Sequence, residues 1–442
     1  MPNVLHRPKQ ARSSLLQTLQ LIRDPLGCSL RDLQAYGDPM TVKILGAAPI
    51  FVTADPESIR SIFSAPTEMF GSTMPASFEP VLGKGSLLAL SGDRHRRMRK
   101  LLTPAFHGQR MRLYGQQIRD ITCRQTAHLQ ANDVFVAQTL LRSISLQLIM
   151  QIVFGVTAED RLSQLEAQIH AFMNAAGIGL FLLPRWELLG LSPWARFMKT
   201  RRRLQALVDE ELAQRRQQPG PRTDILSMLH ESRYDDGSAM TDEEIFDQLL
   251  TLLAAGHLTT AAAVSWTLHF LLHAPAALAR LQSELAAQGP TPEPDATAQL
   301  PFLEAVCNES LRLRPGVALV SRKLQAPMLI KGAEVPAGAT VGAQVLWAHF
   351  NPVIFPDPQQ FRPERFLERS YTLVEFMPFG GGIRRCIGAA LAMYQMKLML
   401  STLLTTFDLA PANQQPIRYA QGAGSLEPMT PIKLLVRSRL AS

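Results

Sequence analysis

The chain has 442 residues, 46% of them apolar and 19% charged, and its 45 Lys and Arg exceed its 37 Asp and Glu by eight. This balance excludes a disordered chain and is that of a globular protein with a large core, in one large domain or two ordinary ones. The positive excess suits an anionic membrane or an acidic protein; nucleic acid fits least, because no Lys/Arg run is interleaved with aromatics.

Four cysteines, Cys28, Cys123, Cys307 and Cys386, are scattered without paired spacing, which suits a reducing cytoplasm and argues against a disulfide framework. The first residues lack the apolar stretch of a signal peptide. Residues 1–40 read as a polar, proline-spaced lead with a short helix near Ser14 to Ile22. Thr41–Leu45 and Pro49–Val52 alternate as a hairpin around Gly46-Ala-Ala. A helix follows from Ala54 through Phe63. Phe70 to Gly92 is rich in Gly, Ser and Pro and reads as loop with one short helix. Its Met74, Phe78 and Leu87 to Leu90 either face a ligand or pack as surface loop.

Asp93 to Phe106 reads as a basic helix carrying Arg94, His95, Arg96, Arg97, Arg99 and Lys100. His95 and Arg99 are four apart and share one face, so they can clasp an anion while the other cations point outward. The alternative is a solvated positive face. Helical periodicity dominates Met111 to Gln217, broken near Gly155, Gly177 and Pro184. Ala175 to Trp194 is strongly apolar and is followed by Arg196, Lys199 and Arg201 to Arg203. It reads as core, as a lid over a ligand, or as a surface dipping into a membrane.

Thr241-Asp-Glu-Glu244 is a capping box opening a long apolar helix through Leu272, stopped before Pro275. Its length suits a membrane span. His257, His269 and four threonines interrupt it, however, and its acidic start gives no anchor, so it reads as a helix buried through the middle of the protein. Its centre, Ala255-Gly256-His257-Leu258-Thr259-Thr260, presents small residues against which a flat ligand could lie. A threonine hydroxyl there either bonds back to the i−4 carbonyl or serves a ligand. Leu303 to Arg314 reads as a helix in which Glu309 and Arg312 share a face. Leu324 to Val345 reads as short strands and a hairpin, and Phe407 to Leu440 as a helix end and strands whose turn near Ser425-Leu426 could reach a pocket.

The densest chemistry lies in Phe379-Gly-Gly-Gly-Ile-Arg-Arg-Cys386-Ile-Gly388, which passes at once into a helix from Ala389. A cysteine at a helix start, beside Arg384 and Arg385, is drawn toward thiolate. A thiolate in a tight loop is a metal ligand or a nucleophile. The nearest upstream histidine, His349, is distant for a nucleophile's base, and no further Cys or His stands at zinc spacing. A lone thiolate, glycines and arginines suit axial ligation of haem iron, with arginine meeting a propionate.

This stretch resembles the cytochrome P-450 signature F-x-x-G-x-R-x-C-x-G, with Phe379, Gly382, Arg384, Cys386 and Gly388 at its fixed positions. Three further segments resemble the family in order. His95-Arg-Arg-Met-Arg99-Lys-Leu-Leu-Thr-Pro-Ala-Phe106 is similar to the propionate-binding helix. Ala255, Gly256, Thr259 and Thr260 fit the oxygen-binding groove, with Leu258 where the family has an acid. Glu309 and Arg312 with Phe361-Arg-Pro-Glu-Arg365-Phe366 resemble the buried Glu–Arg–Arg triad.

The resemblance implies a mainly α fold with a small β region (about 40–53, 324–346 and 415–440), a single domain over 1–442 enclosing haem b. It implies Cys386 as the iron's thiolate ligand and His95, Arg99, Arg322 and Arg384 as partners of the propionates. Ala255, Gly256, Phe379, Gly380, Gly382, Ile387 and Gly388 would contact the cofactor, and Thr259 and Thr260 would serve proton delivery. The apolar 175–194 segment would be the lid. The pocket would be lined by Phe78, Leu252, Leu258, Val317, Ala318, Leu319, Val320 and Leu426. The reaction expected is insertion of one oxygen atom from O2 into an apolar small molecule, such as a fatty acid, terpenoid or polyketide of secondary metabolism. No nucleotide-binding module is evident, so electrons would come from an external ferredoxin or flavodoxin with its reductase, met by a positive face around Arg94 to Lys100 and Arg385. Leu258 leaves open a peroxide-using enzyme or dehydratase on the same fold, and a non-catalytic haem sensor is the reading from another class. His257, about 100° further round the helix, is not a direct substitute for the acid.

Overall fold

A helix that is apolar on every side can only be stable when protein surrounds it, and the segment Asp242–Leu272 sets the layout of this chain for that reason. In the computed structural model it is one continuous helix, mostly buried. The Thr241 hydroxyl accepts from the Glu244 N–H at 3.2 Å, and the Glu244 carboxylate accepts from the Thr241 N–H at 2.9 Å. With Asp242 and Glu243 alongside, the first turn also meets the positive end of the helix dipole.

The structure describes residues 13–45, 48–72, 74, 78–176, 192–218, 220, 222–289, 292–413, 415–421 and 426–440. The longer helices are α1 (Ser14–Arg23), α2 (Pro25–Tyr36), α3 (Pro56–Ser64), α4 (Gly92–Leu102), α5 (Gln109–Thr126), α6 (Ala137–Ile152), α7 (Glu159–Ala175), α8 (Pro193–Gln217), α9 (Asp242–Leu272), α10 (Pro275–Ala286), α11 (Pro301–Leu313) and α12 (Ala389–Thr406). One core cluster runs from Val81 to Val436, with α9 packed against α6, α11 and α12. Most of the 175–194 segment, and the turns at Gly46-Ala47 and Ser425, lie outside the described residues.

The β structure is small, as expected, but its wiring is not local. β1 (Met40–Val42) and β2 (Ile50–Thr53) form the expected antiparallel pair. β2 also pairs in parallel with β8 (Thr340–Gln344), Ile50 opposite Thr340. β8 in turn pairs with β5 (Leu319–Leu324), and β5 with β3 (Phe70–Gly71). β5 therefore begins five residues before the expected Leu324, and the hairpin of β6 (Met328–Ile330) and β7 (Ala333–Val335) turns at Lys331-Gly332. A second sheet places β12 (Lys433–Arg439) between β4 (Val134–Val136), which was unexpected, and β9 (Phe407–Pro411); β10 (Tyr419–Gln421) pairs with β11 (Leu426–Pro428).

Two buried charge networks hold the layers. Arg312 grips the Glu309 carboxylate with both Nε and Nη2, at 2.7 and 2.8 Å, and Arg365 Nε adds a bond at 3.1 Å. Arg312 also donates to the carbonyls of His349, Pro358 and Gln360. The expected triad is thus a clamp between α11 and the 349–365 segment. The second network centres on Asp247 of α9, which accepts from Gly85 N–H at 2.8 Å and from Arg201 of α8 at 3.1 Å. A side chain at Gly83 (φ +85°) would strike the Asp247 carboxylate. Burial pushes the Asp247 carboxyl up to about 6, against the opposing pull of Gly85 N–H and Arg201.

Glu309→Ala strands two guanidiniums without a carboxylate and is expected to cost about 3–5 kcal/mol, a large share of a typical domain's stability; a urea midpoint equal to wild type would refute this. Asp247 binds its proton more tightly when folded than its ordinary value of 3.8. The native state therefore holds the extra proton between about 4 and 6, and stability from this group is full below that window and lost as pH rises through it. Relative to Asp247→Asn, wild type should lose roughly 2–3 kcal/mol between pH 4 and 7 in urea titrations; a pH-independent difference would contradict the assignment.

Candidate active site

The cysteine loop is shaped by hydrogen bonds within itself and by its contact with α3. Gly380 N–H donates to Met377 O, Arg385 N–H to Gly382 O and Cys386 N–H to Phe379 O, at 2.9–3.0 Å. Gly382 lies at φ +64°, and a Cβ there would come within 2.0 Å of Phe63 O; one at Gly381 would strike the Phe63 ring at 2.2 Å. These two glycines are thus required by α3. The loop's other anchor is His349, whose Nε2 accepts the Met377 N–H at 3.0 Å while Nδ1–H donates to Arg312 O at 3.1 Å. His349 is fully buried and pushed down to about 3 by burial and then by Arg312, so it stands neutral, as this pair of bonds requires. The Glu309 clamp therefore reaches the residue two before Phe379.

Cys386 is solvent-accessible and borders a cavity of about 210 Å³ with Arg99, Thr103, Phe379, Arg385 and Met393. Protein packed round the sulfur pushes its thiol up; the N–H of Gly388, then Arg99 and Arg385, act in the opposite direction. Of the two arginines expected beside the sulfur, only Arg385 acts on it. Arg384 turns away, donating to Leu87 O at 3.3 Å and Leu90 O at 2.5 Å. A metal bound to the sulfur would displace the proton outright. Among the described residues no group of three or more His, Cys, Asp or Glu could hold a metal, so a metal here would have to bring other ligands of its own.

On the other side of the loop, His95, Arg99, Arg322 and Arg384 gather. Burial, then Arg384, Arg99 and Arg322, push His95 down to about 3. Arg322 is lowered to about 10 by burial and by Arg384, and Arg384 to about 10 by burial and by Arg99. Arg322 donates only to carbonyls, Ser321 O at 2.8 Å and Gly381 O at 3.2 Å. None of the three arginines makes an ion pair among the described residues, and the buried His95 Nδ1 has no partner there. Repelling cations are costly to assemble without a counter-charge. The cluster and the orphaned nitrogen together fit a group bearing two carboxylates, as a porphyrin's propionates would be.

In the middle of α9, Ala254 and Ala255 are exposed although the helix is otherwise packed. Thr259 Oγ1 donates to Ala255 O at 2.6 Å. Gly256 instead faces α6: a Cβ there would meet Ile149 at 3.0 Å, and Ser145 Oγ donates to His257 O at 2.9 Å. Its smallness admits a neighbouring helix. Leu258 is half-buried and Thr260 buried. His257 is buried and pushed down to about 4 by burial, then by Arg142 and His170, so its ring lies toward α6 and α7.

The expected pocket residues are dispersed. Leu252 sits in the main core; Val317 and Val320 pack with Phe63 and Met377; Leu319 packs on the opposite sheet face with Met40 and Trp347. Strand alternation forces that split, since successive side chains of β5 point to opposite faces. Ala318 and Leu426 join Leu313, Leu346 and Phe350, and Leu426 O accepts from Trp266 Nε1 at 2.9 Å. Phe78 starts the short helix Glu79–Leu82 and is half-buried. Ile387 and Gly388 flank Cys386 in the loop.

The positive face is weaker than composition suggests. Arg96 pairs with Asp93 and Glu68, Arg97 with Asp236 at 2.6 Å and Lys100 with Asp235 at 2.6 Å. The turn Tyr234–Ser238 thus neutralises part of α4, leaving Arg99 and Arg385 nearest the sulfur.

The comparisons agree with this geometry. The family model for cytochrome P-450 matches residues 8–436. Cytochrome P-450 138 of Mycobacterium tuberculosis (strain H37Rv) is 33% identical over 413 residues, 92% of this chain and 91% of that protein. Cytochrome P-450 137 of the same strain is 32% identical over 406 residues, 90% and 83% of the two chains. The solved structure of cyanobacterial CYP120A1 with bound retinoic acid is similar with a TM-score of 0.84 and 25% identity, covering 98% of this chain and all of that one. The chain belongs to the cytochrome P-450 family. It is a haem-thiolate monooxygenase, with the mainly helical fold of that family, and its cofactor is haem b.

Arg322→Ala or Arg384→Ala should each remove a charge-assisted bond, about 1.5–3 kcal/mol, and speed haem transfer to a scavenging apoprotein by roughly tenfold to a hundredfold. Unchanged loss rates in both variants would exclude the cluster as the propionate site.

Proposed function

We propose that the Cys386 sulfur would hold the haem iron as a thiolate and that the enzyme inserts one oxygen atom from O2 into an apolar small molecule. The observation that carries this reading is the pairing of one accessible sulfur, in a loop fixed by the Glu309 clamp, with a cation cluster lacking any carboxylate. Haem with a thiolate ligand supplies the activation and cleavage of O2. The protein's own residues supply the rest. Gly388 N–H and the charges of Arg99 and Arg385 stabilise negative charge on the sulfur. His95, Arg322 and Arg384 would orient the propionates. The exposed step at Ala254 and Ala255 offers a flat surface on α9 for the opposite face.

Proton delivery is where this chain departs from its family. Leu258 cannot carry a proton, and Thr259 spends its own hydrogen on Ala255 O. The Thr259 oxygen can still accept from a water, so we infer that a water, or a polar group of the substrate, completes the relay. A peroxide-driven reaction, which needs fewer proton transfers, is the second reading that Leu258 favours.

For the substrate we infer a lipid-like molecule, a fatty acid, terpenoid or polyketide. The similarity to a protein with retinoic acid bound supports this class. The four cysteines are free, which supports a reducing cytoplasm. The electron donor is inferred to be an acidic ferredoxin or flavodoxin, docking where Arg99 and Arg385 border the 210 Å³ cavity; its reduction rate should fall as ionic strength rises.

Titration with fatty acids and terpenoids should shift the Soret band of the ferric protein, and product should form with reductant and O2. Product with hydrogen peroxide alone would favour the second reading, and a band unmoved by every lipid would favour a sensor. Leu258→Glu restores a carboxylate and should raise product formed per electron pair severalfold, by analogy with general acid catalysis. A fall would show that the leucine belongs to a mechanism with a different proton route.

A further inference from the structure

Helix α1 is amphipathic in the wrong sense for a soluble surface. Its most buried residue is polar: Gln17 is 1% exposed, donates to Asp32 at 3.0 Å and accepts from Lys43 N–H at 2.8 Å, with Leu21 one turn on packed near Met40 and Trp347. Its outward residues are aliphatic: Leu15, Leu16, Leu19 and Ile22 are 54%, 53%, 43% and 57% exposed. At 100° per residue these four span about 120° of the helix surface, with Leu15, Leu19 and Ile22 in one row. Leu45, also exposed, is held beside them by its N–H on Thr18 Oγ1 at 2.8 Å. Among the described residues nothing packs over this row, because the helix is anchored through its opposite side, where Gln17 and Leu21 face the protein.

The charge around the row says what covers it. Residues 1–23 hold Arg7, Lys9, Arg12 and Arg23 and not one Asp or Glu. The row itself carries no aromatic side chain and no hydrogen-bonding group, the features that a specific protein partner would use. An apolar row in a stretch of sequence that is basic and free of acids, with no directional chemistry of its own, matches the interface of a bilayer bearing anionic headgroups. A ten-residue helix is too short to span and would lie in the plane.

We propose that α1 is an in-plane anchor that seats this enzyme on an anionic lipid surface. Seating would hold the enzyme where lipid-like molecules partition, but the anchor itself does not depend on the substrate reading.

The test is co-sedimentation of the full-length, haem-loaded protein with phosphatidylcholine vesicles, with and without phosphatidylglycerol. Binding is expected on the anionic vesicles and should fall with added salt. Combined Leu15→Ser, Leu19→Ser and Ile22→Ser should weaken it at least about tenfold, with the haem spectrum unchanged because these side chains are exposed. Replacing Arg7, Lys9 and Arg12 with Gln should weaken it on anionic vesicles alone. Wild type that stays in the supernatant, or a serine variant that binds equally, overturns the proposal. So does a wild-type dimer by analytical ultracentrifugation that the serine variant converts to monomer, since a second copy would then be the occupant.

Discussion

The arrangement of this protein depends on a carboxylate that water never reaches. Glu309 is fully buried, and an ionised carboxylate can be kept there only if its lone pairs are met. Two arginines and the Arg362 N–H at 2.9 Å meet them. Arg312 Nη1 and Nη2 and Arg365 Nη1 then donate to carbonyls of the 349–360 segment. The consequence is geometric. A chain segment with little regular structure becomes as fixed as a helix, and through His349 it fixes the approach to the cysteine loop.

From there the site follows by contact. Phe63 presses on the glycines, α12 starts behind Gly388, and the sulfur is left accessible between Arg99 and Arg385. The neutral His95 ring and the cations Arg322 and Arg384 come from α4, β5 and the loop itself, three places far apart in sequence. That they converge with no acid among them is the feature a folded apoprotein would not build for its own stability. It is understandable only as one half of a contact with an anionic group.

The sequence made some of this legible and hid the rest, for physical reasons. Capping chemistry, an all-round apolar helix and a short charge-bearing motif are local signals, so α9, the basic helix and the cysteine loop could be read directly. The Glu309–Arg312 pair was visible, but its partner Arg365 and its clamp over 349–360 required the family resemblance. Strand partners are non-local, so β3 and β4, the partner of β9 and the parallel pairing of β2 with β8 were not readable. One role of the glycines was hidden for the same reason. Gly256, Gly381 and Gly382 answer to Ile149 and Phe63, residues that no spacing rule brings near. Asp247 and His349 gave no signal at all, since a lone acid on an apolar helix and a lone histidine are usually packing detail. The positive face was overread because Asp235 and Asp236, in a turn far along the chain, neutralise part of it.

The central claim is that the sulfur of Cys386 binds the haem iron. The ferrous–carbon monoxide spectrum of purified protein tests it most directly. Wild type is expected to show the long-wavelength Soret band of a thiolate-ligated haem, and Cys386→Ala to lack it while its circular dichroism stays native. A band that survives the substitution, or wild type that never takes up haem, would contradict the account.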